Sequence, residues 1–354
     1  MSANPHYHKD QRGIIVQFDN EESVHQAVPL QMYLSNNARM TSEVLNVWFT
    51  ELTLYELVPY WKEHFQVDQW QFYVADYLSA TQWQIINAMT WTQLLEIRPK
   101  FWIDDIIRAK RIRMMYQPIV EWKQKSLHLL GHEMLARGYV NSEQIIPPEQ
   151  LFEAAKDNGR LYQLDRLCRM EALRAGHLCP DDSKIFINFV PSSIYSPKRC
   201  LQSTFSEAKL LNLDPARIVF EVIETEQIDD LPQMLTILDH YHEQGYSYAL
   251  DDVGKGMNTI KRLHQLQPDI VKLDRHYVTH IDNYPIKQES AKRIAEAAGQ
   301  IGATCIAEGV ERMEEAQYLL EVGYHIQQGY LYGRPAFSPL TAEQLTHPSQ
   351  SKQL

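Results

Sequence analysis

Tyr248-Ala-Leu-Asp251-Asp252-Val-Gly254-Lys-Gly256, followed by Asp269-Ile-Val-Lys272-Leu-Asp274, decides how the chain is read. Tyr-Ala-Leu and Ile-Val are short apolar runs of strand type, and each stops in charge. A buried strand that ends in Asp-Asp delivers carboxylates where it leaves the core. Gly254 and Gly256 let the backbone turn sharply just beyond. Residues two apart on a strand point the same way, so Lys272 and Asp274 should share a face. Three carboxylates and an ammonium at neighbouring strand ends are unfavourable unless a cation neutralises the excess. A divalent-metal site is the implied reading, and a solvated turn after each strand is the alternative for either segment alone.

Outward from this stretch the pattern is regular. Residues 114–120 and 127–135 read as strands whose link is too short for a crossover helix, so they should be antiparallel. After them, helical periodicity at 148–156, 161–175, 206–213, 231–243, 259–265, 288–301 and 314–322 is interleaved with strands at 184–190, 217–224, 248–252, 269–274, 304–309 and 325–333. Alternation of β and α over about 240 residues suggests a modified TIM-type (β/α)8 barrel with an antiparallel opening, an α/β fold. An open doubly wound sheet is the alternative that periodicity alone leaves standing.

Residues 1–100 differ. Six of the seven Trp lie at Trp48, Trp61, Trp70, Trp83, Trp91 and, just beyond, Trp102, and Gly13 is the one glycine there. Residues 12–18 and 69–75 read as strands, 41–65 as one helix or two, and 80–95 as another helix. This is a small N-terminal α/β accessory or regulatory domain without a chemical motif, its aromatics read as core. The expected division is 1–100, a barrel at 101–345 and a tail at 346–354.

Composition narrows the function classes. With 44% hydrophobic and 22% charged residues the chain is of ordinary soluble globular type, and its net charge of −11 argues against nucleic-acid binding through a basic surface. Cys168, Cys179, Cys200 and Cys305 form no C-x-x-C pair and read as buried thiols of a reducing compartment. The N-terminus lacks the apolar stretch of a signal peptide, and no run is long enough to span a membrane. A cytoplasmic protein is expected.

Six of the eight barrel strands end in a residue suited to a metal or phosphate: Glu133, Asn188, Glu221, Asp251 with Asp252, Lys272 with Asp274, and Glu308. In a barrel these ends open on one face, so ligands far apart in sequence would converge. Carboxylates and one carboxamide, without Cys or His, are hard donors that select Mg²⁺ or Mn²⁺. There are acids enough for two ions, and paired metals typically serve phosphoryl-ester hydrolysis. Lys272 could position water or offset phosphate charge, and Arg137 can grip a phosphate bidentately.

These residues carry a family likeness. Tyr-Gln117-Pro-Ile-Val, Glu133-Met-Leu-Ala-Arg137, Ile-Asn188-Phe, Glu221-Val-Ile-Glu224, Asp251-Asp252-Val-Gly, Lys272-Leu-Asp274, Ala-Glu308-Gly-Val-Glu311 and Gln328-Gly-Tyr together resemble the EAL domain over about 101–340. That is the phosphodiesterase class that opens the bacterial second messenger cyclic di-GMP to linear pGpG. The resemblance implies that Glu133, Asn188, Glu221 and Asp251 hold a first metal. Asp252 and Asp274 would lie at or near a second, with Asp251 bridging. It implies that Lys272 and Glu308 handle the attacking water, Glu308 as general base, and that Gln117, Arg137 and Gln328 contact substrate. Glu224 would brace the loop after Asp252. A homodimer is implied as well. The chain departs from the family pattern in three places. Met134 stands at the signature Ala and Val190 at a usual Ser, and the loop Val253-Gly-Lys-Gly-Met-Asn-Thr-Ile260 replaces Phe-Gly-Thr-Gly-Tyr-Ser-Ser-Leu. Val253 is smaller than Phe and should anchor that loop less firmly. The alternative to an active hydrolase is a weak or inactive receptor that binds cyclic di-GMP and passes the signal to a protein partner through residues 1–100.

Overall fold

The computed structural model describes residues 12–30, 32, 38–41, 45–79, 82–97, 102–124, 126–140, 144–223, 231–254 and 259–345. The chain divides into two compact units. One gathers Met1–Lys110 with Glu149–Asp165 and Ser193–Leu201, the other Arg111–Pro148 with Arg166–Ser192 and Gln202–Leu354.

The first unit holds an antiparallel sheet of β1 (Arg12–Gln17), β2 (Ala38–Met40), β3 (Asn46–Thr50), β4 (Gln71–Ser79) and β5 (Gln82–Met89), in the order β2-β3-β1-β4-β5. Helices Glu21–Ala27 and Glu51–His64 complete a β-α-β-β-α-β order of split βαβ type, extended by β5. Two expectations are corrected here. The helix expected over 41–65 begins at Glu51, where the Thr50 hydroxyl caps it by accepting from the Thr53 N–H. The residues before it form β3, because Val47, Trp48 and Phe49 alternate between two buried faces. Trp48 packs with Ile15 and Ala75 on one side, and Phe49 meets Trp61 edge-on at 5.5 Å on the other. The helix expected over 80–95 is β5 followed by the helix Trp91–Ile97. A reciprocal pair of bonds between Thr90 and Gln93, a capping box, starts that helix at its observed place.

The second unit is a closed barrel of β6 (Ile112–Lys123), β7 (Ser126–Tyr139), β9 (Lys184–Phe189), β10 (Ile218–Ile223), β11 (Ser247–Val253), β12 (Ile270–Leu273), β13 (Thr304–Ala307) and β14 (Ile326–Gln328), with two-residue β8 (Ile145–Ile146) added to β7. The run from β7 through β9 to β14 is parallel, and β6 closes it by pairing antiparallel with both β7 and β14. The antiparallel opening expected from the short β6–β7 link is therefore present. Ile119, Phe186, Val219, Ala249 and Ile306 fill the barrel as one buried cluster. The strand expected over 325–333 ends at Gln328. Gly329 lies so close to the Val310 carbonyl that a Cβ there would sit 2.0 Å from its oxygen. The Gly329 carbonyl then accepts from the N–H groups of Tyr332 and Gly333, a turn rather than a strand.

Candidate active site

Barrel register brings the charged residues together. Glu221 pairs with Asn188 across β10 and β9, and Gln117 with Glu133 across β6 and β7. Ile223 of β10 pairs with Asp251 of β11, so Asp251 lies two residues further up the barrel than Glu221. Lys272 stands at the centre, wholly buried. Its Nζ lies 2.5 Å from Glu221 Oε1, 2.6 Å from Glu308 Oε1, 3.3 Å from Asp251 Oδ1 and 3.8 Å from Glu133 Oε2. Glu133 is fixed by two carboxamides. Asn188 Nδ2 donates to one of its oxygens at 2.8 Å and Gln328 Nε2 to the other at 2.7 Å.

Asp251 and Asp252 are adjacent, and adjacent residues on a regular strand face opposite ways. A bulge resolves this. Between Leu250 and Val253 β11 carries one residue more than β12, which pairs at Val271 and Leu273. Asp252 takes the left-handed conformation, φ 56°, and its N–H donates to Asp251 Oδ1 at 2.9 Å. The result is a trio, Asp251, Asp252 and Glu308, with one carboxylate oxygen of each within 4.8 Å of the others. Asp274 lies outside that trio. It is buried, and its carboxylate caps the single-turn helix Arg275–Val278 by accepting from the His276 N–H at 2.8 Å.

Electrostatics sort the carboxyls. Burial opposes charge on Glu133, but the Lys272 ammonium and the two amide donors hold its carboxyl below the usual range. Burial pushes Glu221 well above that range, against the pull of Lys272 and with the push of Glu133 and Asp251. Burial and then Asp251 raise Glu308 likewise. Burial would neutralise Lys272, yet the surrounding carboxylates, Asp251 foremost, keep it charged far above its ordinary value.

Four carboxylates around one ammonium leave an excess of three negative charges when all are ionised (4 − 1). Oε2 of Glu221 and Oε1 of Gln328 are buried without a hydrogen-bond partner, and Glu221 Oε1 meets Lys272 Nζ as an ion pair. Orphaned hard oxygens facing excess negative charge fit a divalent cation.

The residues expected to meet substrate are less uniform. Gln117 and Arg137 are half-buried, and Arg137 donates to the Ala136 carbonyl at 2.8 Å. Gln328 is buried and serves Glu133, a use that the sequence reading did not foresee. Met134 and Val253 are core side chains, 3% and 0% exposed, so both departures from the family pattern fall where packing decides. Glu224 and residues 255–258 lie outside the described residues.

Residues 102–335 match the family model of the EAL domain. The cyclic di-GMP phosphodiesterase PdeL of Escherichia coli K12 is 31% identical over 217 residues, 58% of this chain and 58% of PdeL. The probable cyclic di-GMP phosphodiesterase PdeG of the same organism is 30% identical over 232 residues, 62% of this chain and 44% of PdeG. The chain thus spans about half the length of these two relatives. Among solved structures, the cyclic di-GMP-bound form of a standalone EAL protein from Vibrio cholerae O395 is 30% identical. It overlays with a TM-score of 0.57 on 65% of this chain and 94% of its own. Among the described residues, no helix is long and apolar enough to cross a membrane.

Proposed function

The chain belongs to the EAL-domain family, and on that premise we propose that it hydrolyses cyclic di-GMP to linear pGpG at the mouth of the barrel, with two divalent ions, Mg²⁺ or Mn²⁺. The observation that carries the proposal is the complete set of acids around Lys272, with Glu221 Oε2 buried without a hydrogen-bond partner in its midst. Glu133, Asn188, Glu221 and Asp251 would hold one ion. Asp251 and Asp252, which cluster with Glu308, would hold the second, so Asp251 would belong to both, and Asp274, the helix cap, would lie near it. When bound, the ions would supply Lewis-acid charge and ease loss of a proton, to the general base, from the water that attacks phosphorus.

The chain's own side chains do the rest. Glu308, which contacts the Lys272 ammonium at 2.6 Å, would be the general base for the attacking water. Lys272 stays charged and holds Glu308 and Glu221 in place, beside where negative charge develops. Asn188 and Gln328 keep Glu133 in one orientation. Arg137, released from the Ala136 carbonyl, and Gln117 meet the dinucleotide phosphates and edges. Residues 1–100 would be an accessory or regulatory unit, and the working form a homodimer.

The test is the purified chain with cyclic di-GMP and Mn²⁺ or Mg²⁺, product followed by chromatography. Formation of pGpG is expected. Binding without turnover would move the assignment to a receptor, and neither binding nor turnover would remove it.

A further inference from the structure

The end of β12 and the short segment that follows it touch the backbone beside both halves of the acidic trio. On one side, the Asp274 N–H donates to the Val253 carbonyl at 3.2 Å, and the Tyr277 hydroxyl donates to the Gly254 carbonyl at 2.6 Å. The Tyr277 ring lies flush on Gly254, whose φ is 118°. A Cβ there would meet Tyr277 Cε2 at 2.4 Å. On the other side, the Leu273 carbonyl accepts from the Glu308 N–H at 3.1 Å. The stem of Arg275 covers Gly309 so closely that a Cβ would meet it at 2.5 Å, and the Arg275 guanidinium pairs with Glu311 at 3.2 Å. The turn is closed by its own hydrogen bonds: the Asp274 carboxylate caps it through the His276 N–H, and the Tyr277 N–H closes it on the Asp274 carbonyl at 2.9 Å.

We infer that the turn Asp274–Tyr277 is the positioning bracket of the site, with Tyr277 as the residue that sets where the Asp251–Asp252 bulge sits relative to Glu308. The inference deepens the proposed function and rests on its reading of the trio as the reacting end. Left-handed Asp252 sits in a conformation that favours glycine, so its backbone needs outside support to persist. The next two carbonyls are held by this turn, and the second is held by the Tyr277 hydroxyl. Tyr277 acts through backbone: its N–H meets the Asp274 carbonyl and its hydroxyl meets the Gly254 carbonyl. Val253 in place of Phe gives the bulge less volume to lean on, and Tyr277 supplies a hydrogen bond in that neighbourhood. The glycine is required here, because any larger residue would displace the ring.

Tyr277→Phe keeps the ring against Gly254 and removes the hydroxyl; Tyr277→Ala removes both. Deuterium uptake by peptides covering 252–254 of the metal-free full chain should quicken roughly 5- to 10-fold in the Phe variant, the effect of one lost hydrogen bond, and further in the Ala variant. Uptake over β10 should not change. Titration with Mn²⁺ alone, followed by electron paramagnetic resonance, should show weaker binding by a similar factor. With cyclic di-GMP, kcat should fall while KM holds, since Arg137 and Gln117 are untouched. Unchanged uptake at 252–254 in both variants overturns the bracket. A parent that neither binds Mn²⁺ nor turns over the dinucleotide overturns the proposed function instead, and the exchange comparison still decides the role of Tyr277.

Discussion

Replacing Glu221 by Gln takes one negative charge out of the barrel mouth at almost constant volume. The parent buries Glu221 with one oxygen on Lys272 and the other without a hydrogen-bond partner, among three further carboxylates that share the same ammonium. Lys272 is not stranded by the change, because Glu308 stays at 2.6 Å and Asp251 at 3.3 Å. Removing a poorly compensated buried charge should therefore stabilise the metal-free barrel by about 1–3 kcal/mol. At roughly 2–4 °C per kcal/mol for a unit of this size, the barrel transition should rise by about 2–12 °C in chelator. Metal reverses the order. Ions at about 100 times their dissociation constant stabilise the parent by roughly 2.7 kcal/mol, and a variant lacking a ligand forfeits most of that.

The pH dependence follows from linkage. The Glu221 carboxyl is raised in the folded state, so between its unfolded and folded values the native chain binds the extra proton. Its penalty is absent at low pH, grows as pH climbs past the ordinary carboxylate range, and is full above the raised value. The gap between Glu221→Gln and the parent should thus widen from pH 5 to pH 8 in chelator and narrow on acidification. Scanning calorimetry with and without Mn²⁺ at those two pH values reads all of this. A variant that melts below the parent in chelator, or a gap indifferent to pH, would refute the picture of an acid cluster held at the expense of stability.

Other perturbations separate binding from chemistry. Glu133→Ala should lower turnover at least about 100-fold, as loss of a group aimed at the reacting centre does, while cyclic di-GMP still binds by calorimetry. Arg137→Ala should instead raise the dissociation constant roughly 10- to 100-fold, the worth of a charged hydrogen-bonding contact, with kcat less affected. Exhaustive chelation should abolish turnover, Mn²⁺ or Mg²⁺ should restore it, and Ca²⁺ should inhibit; full activity in chelator would contradict the metal reading. Val253→Phe with Lys255→Thr and Met257→Tyr restores three of the six family residues that this loop lacks. Because Val253 is fully buried, the added ring should destabilise the barrel by about 1–3 kcal/mol, read by denaturant melts, unless the loop repacks around it.

The barrel was legible because its signal is redundant. Each of the last six strands is apolar, and all but the last end in a polar side chain and lead into a helical period, so the boundaries agree with the structure except where a turn competes, as at Gly329. The N-terminal unit was legible only as α/β. Trp48 and Phe49 occupy both faces of β3, which erases the period of two, and the caps at Thr50 and Thr90 that set the helix starts are short local bonds. In the site, strand-end placement named the acids but could not say how they share an ion. Strict alternation would have sent Asp252 away from Asp251, and only the bulge and the left-handed residue bring the two toward Glu308. The same limit hid Tyr277. An aromatic three residues past Asp274 reads as helix packing, and its hydroxyl gains meaning only when the Gly254 carbonyl is found beneath it. The acids of this chain are placed by barrel register, which sequence reveals. Their mutual aim is set by backbone geometry at one bulge and the turn that grips it, which sequence reveals only as two glycines and a tyrosine.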